Sequence, residues 1–231
     1  MQYKHLFFDL DHTLWDFNTN SKEAMQDVYR SQELDKRGIT DFDAFFERYN
    51  YHNHRLWDKY SKGQMKQEEL RWKRMWLALV DFKIADEALA RAMGAVFLEV
   101  LPNKNGLFPY THEILSYLRN KGYELHLITN GFEKVQYNKL EKSNIGQYFK
   151  EVVTSETSNS LKPNKEIFDH ALMRAGAERT ESMMIGDNIE ADILGGMNAG
   201  LDTVFVNHIN EVTDVQPTYT IYHLKELEGI L

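Results

Sequence analysis

The feature that most constrains this chain is a strand set apart from its sheet. Leu6, Phe7 and Phe8 form the apolar centre of a run over 4–10 that meets Asp9, the pattern of a buried parallel strand. A strand is not stable alone, yet the period that follows is helical as far as about Val100. Phe42, Phe45, Phe46, Tyr49, Leu56, Trp57 and Tyr60 share one face; Trp72, Met75, Trp76, Leu79 and Val80 share another; Leu89, Ala92, Met93, Val96, Phe97 and Val100 share a third. Asp16 to Ser21, ahead of this block, is expected to be a loop that caps a helix. Pro102 to Gly106, with Pro109, close the block with turn chemistry.

Alternation begins only afterwards. Helices are expected at 110–120, 133–143, 165–175 and 189–199, and strands at 123–129, 151–154, 182–186 and 203–206, with a short strand near 219–221 and a last helix. Strands alternating with helices imply a parallel sheet covered on both faces, and the first strand must join it. The expected fold is therefore α/β: a Rossmann-like, doubly wound parallel sheet over 1–14 and 104–231, with an all-helical domain inserted at 15–103.

Charge narrows the function classes. The net charge is −8, and the inserted block carries −1 of it, leaving −7 on the sheet domain. A sequence-independent grip on a nucleic acid polymer needs clustered Lys and Arg, so none is expected. Seven basic residues against three acids at 55–74 are expected to form a solvated helix face, as are His52 and His54, which lie two apart and point to different sides. The absence of cysteine excludes a disulfide framework, a thiolate metal site and a Cys nucleophile. Asp9 comes too early for a signal-peptide core, and the longest apolar run, Met75 to Val80, is too short to span a bilayer. A cytoplasmic protein without membrane contact is expected.

In parallel sheets ligands sit outside the carboxyl ends of the strands. Four places after strands carry chemistry here: Asp9-Leu10-Asp11-His12-Thr13, Thr129-Asn130-Gly131, Leu161-Lys162-Pro163 in the stretch that follows the third strand, and Gly186-Asp187-Asn188 with Asp192 beyond. Asp9 and Asp187 each follow apolar strand residues, where an unpaired charge is costly. Two such acids facing each other repel unless a lysine or a divalent metal lies between them. A donor set of oxygens, without His or Cys, favours magnesium.

In this order the four motifs, FFDLDHTL (7–14), ITNG (128–131), LKPNKEIF (161–168) and MIGDNIEAD (184–192), resemble those of the haloacid dehalogenase-like hydrolase superfamily, with 15–103 matching its helical cap. TNGFEKVQYNKLEKSNIGQYF (129–149) and the motifs after it look like the bacterial pyrimidine 5′-nucleotidase branch. The resemblance implies a Mg2+-dependent phosphomonoesterase for a small-molecule substrate. Asp9 would be the nucleophile that forms an aspartyl-phosphate, and Asp11 the general acid and base. Thr129, the Asn130 and Gly131 amides and Lys162 would bind the phosphoryl group. Asp9, the Asp11 carbonyl and Asp187 would hold the metal, with Asp192 behind them orienting Lys162 or a water. The cap would close over the site and choose the leaving group. Asp11 separates phosphatases from dehalogenases, which lack that acid. The same motifs serve sugar-phosphate and phosphoglycolate phosphatases and phosphomutases, and a non-catalytic binding protein would have lost one of them.

Overall fold

The computed structural model describes residues 2–231. In chain order the elements are β1 (His5–Phe8), α1 (Phe17–Ser31), α2 (Phe42–Ser61), α3 (Gln67–Asp81), α4 (Glu87–Val100), α5 (Thr111–Asn120), β2 (Glu124–Thr129), α6 (Glu133–Lys142), β3 (Phe149–Thr154), α7 (Ser155–Ser158) and α8 (Lys165–Ala175). Then follow β4 (Ser182–Gly186), a π-helical segment Ile189–Leu194 running into α9 (Gly195–Asn198), β5 (Asp202–Val206), β6 (Tyr219–Ile221) and a 3-10 segment Leu224–Gly229. Contacts divide the chain into residues up to Phe17 with Asn105–Leu231, and Asn18–Lys104.

The first unit is built on a parallel sheet in the order β3-β2-β1-β4-β5-β6. All four residues of β1 are buried, because this strand is central and pairs with β2 on one side and β4 on the other. The order reverses between β1 and β4, and at such a switch point the loops diverge and leave a crevice beyond the carboxyl ends. Phe7, Ile128, Val153 and Met184 pack with Ile167, Phe168, Ala171 and Leu172 of α8 on one face of the sheet. The unit extends as far as Phe17 because the chain after β1 folds back on itself. Trp15 N donates to the Leu10 carbonyl at 2.9 Å, Trp15 bridges to Asp11 and Leu107, and Asp16 N donates to the Gly106 carbonyl at 3.0 Å.

Three elements differ from expectation. The loop expected at Asp16 to Ser21 is the start of α1, which begins at Phe17 and leaves Asp16 at the cap position. The helix at 189–199 opens as π-helix: the Asn188 carbonyl accepts from both Asp192 N and Ile193 N, at 2.9 and 3.2 Å, and the second bond widens the turn. The last helix is 3-10, in which Leu224 and Leu227, three apart, are both buried and suit a three-residue period.

The second unit is helical. Asp41 Oδ1 accepts from Ala44 N at 3.0 Å to cap α2, and Asp86 Oδ1 accepts from Leu89 N at 2.9 Å to cap α4. Gly94 lets α4 close on α3, since a Cβ there would lie 2.7 Å from the Arg71 carbonyl oxygen. Two residues expected on solvated faces are buried instead. His52 Nε2 lies 2.8 Å from Asp81 Oδ2, and Arg74 Nη1 donates to Asn53 Oδ1 at 2.9 Å with its guanidinium over the Phe97 ring. His52 falls on the stripe of Phe45, Tyr49, Leu56 and Tyr60, and Arg74 on that of Leu70 and Ala78, so position on the helix overrides residue type. Among the described residues no helix is long and apolar enough to cross a membrane.

At the amino ends of β1 and β2, His5 Nδ1 and His126 Nε2 lie 3.2 Å apart, and the fully buried His126 ring stacks on Phe7. Burial, then the neighbouring His5, push the His126 pKa down to about 4. An unfolded histidine titrates near ~6.5. Between those values the unfolded chain binds more protons than the native one, so stability falls as pH falls through that window and is untouched above it. A His126→Gln variant is expected to lose less of its thermal midpoint than the wild type between pH 6.5 and 4. Parallel profiles would remove His126 as a cause.

Candidate active site

β1 and β4 each carry a carboxylate beyond their buried ends. Asp9 N donates to the Ile185 carbonyl at 2.9 Å, which fixes the residue against β4 before its side chain enters the crevice. Asp187 follows Gly186, and its Oδ1 accepts from the buried Thr13 hydroxyl at 2.8 Å. Asp192 returns from the π-helical turn, accepting from Asn188 N through Oδ2 at 3.0 Å. A Cβ on Gly186 would lie 2.3 Å from that oxygen, so the strand end must be glycine for Asp192 to enter.

Lys162 joins these groups. Its ammonium lies 2.5 Å from Asp9 Oδ1 and 2.7 Å from Asp192 Oδ1, and it donates to the Ile128 carbonyl at 2.8 Å. The lysine is 2% exposed and Asp192 1%, so water contributes little to this network. The backbone of the lysine loop is anchored by Asn130, whose Oδ1 accepts from Lys162 N at 2.7 Å and whose Nδ2 donates to the Lys162 carbonyl at 2.9 Å. Thr129 Oγ1 accepts from Gly131 N at 3.1 Å, so the ITNG turn is closed on itself beside the carboxylates.

The electrostatics are unbalanced. Burial, reinforced by the Asp192 and Asp11 charges and opposed by Lys162, pushes the Asp9 pKa up to about 7. Asp187 is raised well above the ordinary carboxylate range by burial and by Asp9 and Asp192. Burial works against the Lys162 ammonium, but Asp192 and Asp9 outweigh it and hold the group charged. Among the described residues, the Lys162 ammonium thus faces the buried carboxylates of Asp9 and Asp192 with the half-buried Asp187 beside them. Ligand oxygens of Asp9, Asp187 and Asp192 lie within 4.8 Å of one another, an all-oxygen donor set that fits a hard divalent cation.

Asp11 is placed differently from the other acids. Its carboxylate is absent from that cluster and is held by α6: Lys139 Nζ lies 2.5 Å from Oδ1, and Gln136 Nε2 donates to Oδ2 at 2.8 Å. Gln136 Nε2 also donates to Thr129 Oγ1 at 2.6 Å. Neither α6 residue stands out in the four motifs, yet a signal was present. Phe132, Gln136, Lys139, Leu140 and Ser143 form one buried stripe, in which an amide and an ammonium replace apolar residues.

The model of the haloacid dehalogenase-like hydrolase family matches residues 6–206. The chain is 33% identical over 230 residues to the pyrimidine 5′-nucleotidase PynA of Streptococcus pneumoniae, covering 98% of this chain and 94% of that one. It is 32% identical over 238 residues to the pyrimidine 5′-nucleotidase YjjG of Escherichia coli, covering 100% and 99%. Among solved structures, the magnesium-bound HAD-hydrolase YfnB of Bacillus subtilis superposes with a TM-score of 0.90 at 27% identity, over 100% of this chain and 99% of that one.

Proposed function

The chain belongs to the haloacid dehalogenase-like hydrolase family, and from that premise we propose that it hydrolyses pyrimidine nucleoside 5′-monophosphates through an aspartyl-phosphate on Asp9. The observation that carries the reading is the buried Asp9–Lys162–Asp192 chain beside Asp187, with Asp11 two residues from Asp9 and held apart from that chain.

A phosphate monoester dianion repels an anionic nucleophile, so its charge must be offset before attack. Asp9, Asp187 and the Asp11 backbone carbonyl would hold Mg2+, which when bound supplies Lewis-acid neutralisation of the phosphoryl oxygens. Lys162 adds the fixed positive charge, and Asp192 keeps its ammonium aimed at Asp9. Lys162 holds Asp9 Oδ1, and in the proposed step Oδ2 attacks. A bond forms from that oxygen to phosphorus while the ester P–O bond breaks, and Asp11 donates a proton to the departing nucleoside oxygen. Asp11 then takes a proton from water as the water attacks phosphorus, the acyl-phosphate P–O bond breaks, and inorganic phosphate leaves. Thr129 and the Asn130 and Gly131 amides bind the non-bridging oxygens in both steps.

The leaving group rests on the relatives. PynA and YjjG are pyrimidine 5′-nucleotidases, and the likeness runs through the helical unit as well as the sheet. Binding energy from a base remote from phosphorus can be used to accelerate the chemical step. At saturating magnesium, kcat/KM for thymidine or deoxyuridine monophosphate is expected to exceed that for deoxyribose 5-phosphate and for phosphoglycolate, and excess chelator is expected to silence all of them. Equal values for thymidine monophosphate and deoxyribose 5-phosphate would move the assignment to a sugar-phosphate phosphatase. Full activity in chelator would remove the metal.

A further inference from the structure

We propose that Gln136 and Lys139 are the positioning residues of the acid/base Asp11, holding its carboxylate by both oxygens and coupling it through Gln136 to the phosphate-binding hydroxyl of Thr129. The proposal rests on Asp11 being the proton carrier of the reaction proposed above.

The two residues lie three apart on α6, so they project from the same face toward one target. Lysine is rarely buried without a partner, because desolvating an ammonium costs several kcal/mol. Lys139 is 2% exposed, and its charge meets Asp11 Oδ1 and the faces of Trp15 at 4.3 Å and Phe17 at 5.5 Å. Both rings belong to the segment that folds back after Asp11 and is itself bridged to it at Trp15. The ammonium is therefore enclosed by the stretch of chain whose carboxylate it holds.

Gln136 fixes the second oxygen. It is fully buried, and its Nε2 is divided between Asp11 and Thr129 while its Oε1 has no hydrogen-bond partner. A glutamine kept only for packing would have its buried carbonyl oxygen satisfied or would be apolar. Room for it comes from the phosphate loop, since a Cβ on Gly131 would lie 1.9 Å from Gln136 Nε2. The glycine of the ITNG turn thus admits the side chain that ties the acid/base to the hydroxyl above the same turn.

The chemical consequence is geometric. Asp11 has to reach the ester oxygen in the first step and a water in the second, and His12 just after it adopts a left-handed φ of 66° on an irregular segment. An unrestrained carboxylate there would sample several rotamers and lose rate to misplacement. Two donors leave lone pairs on both oxygens, so the acid can carry or accept its proton without releasing either contact. Lys139 and Gln136 donate hydrogen bonds throughout and transfer no proton themselves.

The test is a set of single and double variants assayed with thymidine monophosphate and with p-nitrophenyl phosphate, whose leaving group departs without protonation. Lys139→Met and Gln136→Leu are each expected to lower kcat on thymidine monophosphate by about 10-fold or more, a part of the ~10²–10⁴ that general acid–base catalysis supplies. KM should move less than about 3-fold, the loss on p-nitrophenyl phosphate should be smaller, and Lys139→Arg should recover part of kcat. In an Asp11→Asn background, adding Lys139→Met should cost nothing further, because a residue acting only through Asp11 has nothing left to position. Near-wild-type kcat in both single variants, or an equal loss with and without the Asp11 carboxylate, would overturn the proposal. Should Lys139→Met fail to fold, the Gln136→Leu cycle carries the same decision. A wild-type rate in Asp11→Asn itself would instead overturn the acid/base assignment.

Discussion

Asp9→Asn is expected to lower turnover by roughly 10⁴-fold or more, the order seen when a covalent nucleophile is removed, while the protein remains folded. An amide keeps the shape of the side chain and can still meet Lys162, but it cannot form an acyl-phosphate. The stability change should have the opposite sign to the activity change. Asp9 is raised to about 7 in the folded chain, so between the ordinary carboxylate range and that value the native state binds more protons than the unfolded one. Metal-free stability is therefore lost as pH rises through this window, and the cost is complete above it. The variant carries no such charge and is expected to melt at or above the wild-type temperature at pH 8 without divalent cation. With magnesium the order reverses, because the wild type gains a full carboxylate ligand set and the variant does not. Scanning calorimetry at pH 8 with and without magnesium, alongside steady-state kinetics, reads both effects. A variant that keeps more than a small fraction of wild-type kcat would exclude covalent catalysis by Asp9.

What the sequence made legible follows from how local each signal is. Residues 4–10 announce a buried strand, and Thr129 and Asp187 lie at or just past strand ends, so sheet topology brings them toward Asp9, whereas Lys162 arrives from a loop beyond α7 that Asn130 anchors. The mutual arrangement of these groups was not readable in the same way. Asp192 enters through a π-helical turn produced by one hydrogen bond spanning five residues, from Ile193 N to the Asn188 carbonyl, and no periodicity marks such a bond in advance. Lys139 and Gln136 were obscured for another reason: on a polar helix a lysine is read as solvated, and only the burial of Phe132 and Leu140 on the same stripe shows that it is not. Arg74 repeats the lesson in the helical unit, where a stretch read as a basic surface contains one inward guanidinium held by Asn53. In each case the deciding fact is which face of an element is covered, and that depends on residues distant in the chain.

Lys162→Met is expected to remove activity on every ester alike, by roughly 10²–10³-fold or more, since the ammonium acts on the phosphoryl group common to all substrates. Its effect on stability should be large as well, because among the described residues this side chain is the cation that touches both Asp9 and Asp192 in a nearly dry network. Removing one member of a buried ion pair typically costs about 3–5 kcal/mol, as the partner charge is left uncompensated. Methionine keeps the length and bulk of the stem, so the loss reports charge more than cavity. The carboxylates left behind can recover in two ways: by taking up protons, which favours lower pH, or by binding a divalent cation more avidly. Magnesium is therefore expected to raise the thermal midpoint of Lys162→Met by more than it raises that of the wild type at pH 8, although neither activity nor substrate ranking returns. An equal magnesium shift in both proteins would mean that Lys162 and the metal do not offset the same carboxylate charge. A variant whose substrate ranking changed while its overall rate survived would place Lys162 against the leaving group instead of the phosphoryl group.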